Sequence, residues 1–127
     1  MFFTGRKIPQ SENMSHFNSL PEFQKELKRL VKKFPSLLGD IAELEVVLRT
    51  LPTGGGKNFT ILHHSEEVKI VKTRLACRSL RDRSIRIIYA YHDNVITFVY
   101  LEMYAKGDKE NEDRERVAEY IKAYKTQ

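Results

Sequence analysis

Apolar residues recur along this chain in two rhythms, helical and strand-like. After Pro21, the residues Phe23, Leu27, Leu30, Val31 and Phe34 fall three or four apart, with Lys25, Glu26, Lys28, Arg29 and Lys32 between them. That spacing predicts an amphipathic helix. Pro21 suits its first position, where a missing N–H has no partner to lose. Pro35 stops the helix, and Ser36 is a suitable cap for the next. A second stripe, Leu37, Ile41, Leu44, Val47, Leu48 and Leu51, runs up to Pro52 and the triple glycine Gly54-Gly55-Gly56. Helices joined this closely form an antiparallel hairpin. Ahead of them, 16–20 alternates weakly, as a short first strand would. Residues 1–13 carry no pattern and read as a flexible arm, leaving 14–127 as a single domain.

Beyond the glycines the period drops to two. Segment 58–63 fits a short strand. Segments 67–78, 84–92 and 95–105 have the branched and aromatic content of longer ones. Asp93-Asn94 is expected to be a two-residue turn joining the last two as a hairpin. Gly107 closes the strand run. Glu110, Glu112 and Asp113 are expected in the first turn of a terminal helix, where acidic groups favour its positive end. Val117, Tyr120, Ile121 and Tyr124 give that helix one apolar side, so both tyrosines are expected to pack in the core.

Charge changes this picture. Between Lys69 and Arg86 stand seven cations (Lys69, Lys72, Arg74, Arg78, Arg81, Arg83 and Arg86) and one acid, Asp82. Apolar residues are threaded among them, so the segment reads as sheet rather than tail. Alternation sends Lys72, Arg74 and Arg78 to one face and Val71, Thr73, Leu75 and Cys77 toward the core. Arg86, between Ile85 and Ile87, needs either an ion pair, with Glu102 or Asp108, or an anionic ligand. A rigid cationic sheet face suits a phosphate backbone. The overall balance agrees: 22 basic minus 17 acidic residues gives +5 over 127 residues.

Other chemistry recedes. A lone Cys77 excludes an internal disulfide and reads as a buried, inert thiol in a reducing compartment. No apolar run is long enough to span a membrane, and Met1-Phe2-Phe3 starts no signal peptide, so a cytoplasmic location is expected. The glycine run leaves a helix without a Gly-Lys-Ser/Thr signature, so it is no phosphate loop. His63 and His64, adjacent on a strand, point to opposite faces. No metal and no cofactor are expected. His92 is the sheet histidine available as a general base, but its position at the turn reads as solvated.

The strands Val-Lys-Ile-Val-Lys-Thr-Arg-Leu (68–75), Ile-Arg-Ile-Ile-Tyr-Ala-Tyr (85–91) and the stretch Tyr-Ala-Lys-Gly-Asp-Lys-Glu-Asn (104–111) follow two helices. In this order, Arg-x-x-Tyr followed by Tyr-x-Lys-x-x-Lys resembles the RelE/ParE superfamily of small toxins from type II toxin–antitoxin systems, on its RelE-like side. The likeness covers nearly everything beyond the arm. It implies an α+β fold: a helical hairpin packed on a small, mainly antiparallel sheet, with a C-terminal helix. It also implies a metal-independent endoribonuclease that cleaves mRNA at the ribosome, inhibits translation and is neutralised by a cognate antitoxin. Cleavage in such enzymes proceeds by attack of a 2′-hydroxyl on the adjacent phosphate. The resemblance assigns Lys72, Arg74 and Arg86 to the catalytic cations, and Lys106 and Lys109 to further phosphate contact; Arg78, on the face of Lys72 and Arg74, and Arg81 and Arg83 of the same cationic run are expected to bind nucleic acid as well. It leaves open a ParE-like inhibitor of DNA gyrase, or a degenerate relative without nuclease activity. Some RelE relatives carry a tyrosine or His-Tyr pair after the last strand. Here Tyr104 precedes the lysine turn instead, and the residues name no general base.

Overall fold

A computed structural model describes residues 16–79 and 84–125. The proposed arm, Arg81 and Arg83 lie outside the described residues. The chain runs β1 (His16–Ser19), α1 (Pro21–Lys33), α2 (Leu37–Thr50), β2 (Phe59–His64), β3 (Lys69–Leu75), β4 (Ile85–His92), β5 (Thr97–Ala105) and α3 (Arg114–Lys125). One five-stranded sheet has the order β1-β5-β4-β3-β2. Its pairs are antiparallel except the edge pair β1–β5, which is parallel. This is the expected α+β architecture. No helix among the described residues is long and apolar enough to cross a membrane.

The central strand β4 is covered on both sides, which explains its nearly unbroken apolar sequence. Ile85, Ile87, Tyr89 and Tyr91 join the core under α1 and α2, together with Phe23, Leu30, Leu44 and Leu48. Ile88 and Ala90 face the other way, into a smaller cluster closed by Val117, Tyr120, Ile121 and Tyr124 of α3. The apolar side expected of the last helix is therefore its packed side. Val71, Leu75 and Cys77 lie in the larger core, and Thr73 is buried as well.

β5 does not alternate strictly. Ile88 pairs with Glu102 but Tyr89 pairs with Tyr100, so Leu101 is an extra, bulged residue. The bulge lets Phe98, Tyr100 and Met103 reach the large core while Leu101 joins the α3 cluster. β1 pairs with β5 only as far as Tyr100, which leaves the edge beyond it open. Side chains close that edge. The Met103 N–H donates to Glu26 of α1 at 3.0 Å, and Arg116 of α3 donates to the Leu101 carbonyl at 2.7 Å. Arg116 also forks onto both Glu26 oxygens, at 3.1 and 3.0 Å. One bidentate pair thus caps the bulge and ties α1 to α3.

Three local expectations need correction. The β4–β5 connection is four residues, 93–96, since His92 pairs with Thr97. Asp93–Val95 form a 3-10 turn, and Ile96 takes a left-handed φ of 49°. The acids Glu110, Glu112 and Asp113 precede α3 rather than filling its first turn. Asp113 instead caps the helix by accepting the Arg116 N–H at 3.0 Å. Ser36 stands at the start of α2 but makes no side-chain cap. Its hydroxyl donates to Asp40 and accepts from Ser79. The glycine run is also more than a loose connection. Gly54 has φ +66°, and a Cβ there would sit 2.2 Å from the Phe59 ring.

Replacing Glu26 by Ala leaves the Met103 N–H without its acceptor and removes the bidentate partner of Arg116. Urea unfolding should register a loss of about 2–3 kcal/mol, with Glu26→Gln losing clearly less.

Candidate nucleic-acid interface

α3 covers only part of the sheet face turned away from the helical hairpin. Along β4 it packs over Ile88 and Ala90. Toward the start of the strand the same face carries Arg86. Cross-strand pairing places Arg74 of β3, Arg86 of β4 and Tyr104 of β5 in one row. The next row is Lys72, Ile88 and Glu102. Two neighbouring strands, β3 and β4, thus bring Lys72, Arg74 and Arg86 to one region.

The contact between the two arginines is electrostatically unfavourable. Arg74 donates its backbone N–H away from β4, to Asn58 at 2.9 Å. Arg74 and Arg86 are therefore a non-hydrogen-bonded pair, the geometry that brings side chains closest. Like charges directly opposite each other on a sheet are destabilising. Arg86 is partly buried, and its pKa is pulled down, first by burial and then by the Arg74 charge. The Glu102 carboxylate is taken by Lys109, and the Arg86 guanidinium donates to the Ser84 hydroxyl. Arg74 is exposed and has no carboxylate partner among the described residues.

The other cations are engaged. Lys72 bonds Glu112 at 2.9 Å. Partial burial works against its charge, but the Glu112 carboxylate and the Tyr104 hydroxyl outweigh this, and its pKa is raised. The Lys109 ammonium bonds Glu102, whose side chain is 1% exposed, and also lies 5.4 Å over the Tyr104 ring. Glu102 accepts the Asp113 N–H at 2.7 Å as well. Lys106 is exposed, and its backbone N–H bonds Ser84.

Arg78 was expected beside Lys72 and Arg74, but β3 ends at Leu75 and the chain turns toward α2. There the Arg78 Nε donates to Asp40 at 2.9 Å and its backbone N–H donates to the same carboxylate at 3.2 Å. Burial works against the Asp40 charge, yet the bonds from Ser36 and Arg78 hold its pKa below the usual value. Arg78 thus anchors the chain after β3 on the helical side of the sheet.

His92 is not solvated. It is buried under α3, its ring tilted against that of Tyr124 with centroids 4.3 Å apart, and bonded through Nε2 to the Tyr120 hydroxyl at 2.5 Å. It lies six residues from Arg86 on the same strand, hence roughly 20 Å away, and does not serve that site. Burial holds its pKa below 6.5, against a smaller opposing effect from the Glu67 backbone. The feature that residue spacing did not reveal is the buried Tyr104 hydroxyl, which bears on Lys72 but meets no acceptor among the described residues.

Sheet, hairpin and capping helix define a small α+β protein with a like-charge pair, one member exposed and one partly buried, on one sheet face. A similar solved structure is the crystal structure of an archaeal RelE–RelB complex from Pyrococcus horikoshii OT3. It aligns with a TM-score of 0.56 at 16% identity, over 76% of this chain and 99% of that one. The fold is RelE-like. No protein-family model matches the chain, and no curated protein matches it in sequence.

The sign of the His92 effect can be tested. Its folded pKa lies below the unfolded one, so the unfolded chain takes up the proton first. Its contribution is complete above about 6.5 and is lost as pH falls toward the folded pKa. Urea unfolding of the wild type should weaken across that window, and His92→Gln should flatten the slope there.

Proposed function

We propose that this chain is the toxin of a type II toxin–antitoxin pair and acts as a metal-independent endoribonuclease on mRNA at the ribosome. The observation that carries the reading is the Arg74–Arg86 pair: two cations held face to face across the ladder on a sheet of RelE-like fold. An arrangement that costs stability in the free protein is relieved by an anion, and a bridging phosphate is the anion that two guanidinium groups bind best.

In the proposed reaction the 2′-hydroxyl of the ribose attacks the adjacent phosphorus. The phosphate gains charge as the pentacovalent state forms, and Arg86, partly buried and fixed by Ser84, neutralises it where water is depleted. Arg74, more exposed, binds the same or the next phosphate and sets the register of the strand. The leaving 5′-oxygen departs as a hydroxyl, leaving a cyclic phosphate. Lys106 extends the cationic track past the end of β5. The similar archaeal protein was crystallised with RelB, and a cognate antitoxin is the partner proposed here. Translation then falls because message is cut.

Arg86→Ala should lower cleavage by about 100-fold or more and restore growth to expressing cells. Primer extension on their mRNA should reveal new ends with the wild type and lose them with the variant. Its salt slope for RNA binding should fall by about one unit. Absence of new ends in wild-type cells, joined with inhibition of DNA supercoiling by the purified protein, would favour a gyrase inhibitor instead.

A further inference from the structure

Tyr104 is 3% exposed, and its hydroxyl, which bears on the Lys72 ammonium, meets no acceptor among the described residues. Buried hydroxyls are rarely left this way. Its surroundings explain why no acceptor is found. Arg86 stands directly opposite on β4, the Lys72 charge acts on it from β3, and the Lys109 ammonium lies over its ring. All three are donors without an acceptor lone pair. A hydroxyl among cations keeps its own proton unused, and an incoming anion would supply the acceptor it lacks.

One anion already sits at the margin of that place. Glu112, in the irregular segment between β5 and α3, carries its carboxylate to Lys72. Its other ion pair is a long one, 3.7 Å, to the exposed Arg114. We propose that Glu112 stands in for an RNA phosphate in the free protein, and that an incoming phosphodiester displaces it from Lys72 and accepts a hydrogen bond from Tyr104. This rests on the reading of Arg74 and Arg86 as a phosphate site and adds Lys72 and Tyr104 to it as gated members.

The exchange is chemically balanced. Lys72 trades one singly charged oxygen ligand for another, and Glu112 moves to solvent beside Arg114, so no buried charge is stranded. The movement does not require α3 to leave. That helix stays anchored by Arg116 on Glu26 and on the Leu101 carbonyl, and by Asp113 on Glu102. Glu112 is one residue outside these anchors, with Gly107 at a φ of 108° at the far end of the segment. Burial disfavours the Glu112 charge, but the Lys72 bond outweighs it and lowers the pKa, so the stand-in is anionic at neutral pH. Competition by an internal anion reduces apparent affinity by the fraction of molecules that are open.

The test uses full-length protein and a non-cleavable 2′-O-methyl RNA octamer, followed by fluorescence anisotropy at fixed salt. Glu112→Gln should bind about threefold to tenfold tighter than wild type, as for an open fraction of about 0.1 to 0.3. Glu110→Gln, which changes net charge equally at an exposed neighbour, should bind as wild type does. Adding Tyr104→Phe to Glu112→Gln should remove several-fold of the gain, with the circular dichroism spectrum unchanged. If Glu112→Gln binds no better than wild type while Arg86→Ala still weakens binding, the stand-in is overturned and the arginine site survives. Equal tightening by Glu110→Gln overturns it too, because net charge then suffices. If neither wild type nor Glu112→Gln binds, the proposal falls together with the site on which it rests.

Discussion

The constraint on which the molecule turns is that β4 must be buried on both faces while the helices available cover only one face fully. α1 and α2 span the side of Ile85, Ile87, Tyr89 and Tyr91. α3 seals only the part of the opposite face around Ile88 and Ala90. The uncovered remainder falls at Arg86, where an apolar residue would face water and a lone buried cation would be costly. An arginine at this boundary is tolerated because its head reaches the opening. Its neighbour across the ladder is Arg74 rather than an acid, so the boundary carries two like charges side by side.

The same constraint gives the β5 bulge its purpose. Strict alternation through Phe98, Tyr100, Glu102 and Tyr104 would send all four to one side. The extra residue at Leu101 switches the phase, so two aromatics enter the large core and Glu102 and Tyr104 turn to the other face. The backbone groups that the bulge and the open edge release are taken by Glu26 and Arg116. The connection to α3 then folds back over the sheet, where Lys109 meets Glu102 and Glu112 meets Lys72. Fold and site share these residues, so the charge pattern there answers to packing as well as to any ligand.

Periodicity made the helical hairpin, the strand order along the chain and the apolar side of α3 legible, because each has a repeat that survives in one dimension. The pairing of Arg74 with Arg86 was half legible: alternation gave the face of each, but register came only from the sheet. Features that depend on departures from regularity were hidden. Arg78 obeys the strand period on paper, yet β3 has ended by then and buried Asp40 holds it on the helical side. His92 sits at a turn in sequence, but α3 returns over it from nearly thirty residues away (Tyr120 being its bonded partner). The ion pairs of Lys72 and Lys109 arise from an irregular segment that has no period to read. Tyr104 showed nothing in the sequence that marks a hydroxyl without an acceptor.

Arginine side-chain NMR addresses the central claim directly, because each Nε–H reports its own guanidinium. Titration with a short single-stranded RNA should shift the Arg74 and Arg86 signals together, saturably, and less steeply as salt is raised. Shifts confined to Arg29, Arg49 or other residues of the helical hairpin, with Arg74 and Arg86 unmoved, would contradict the account and leave the cation pair without a phosphate to bind.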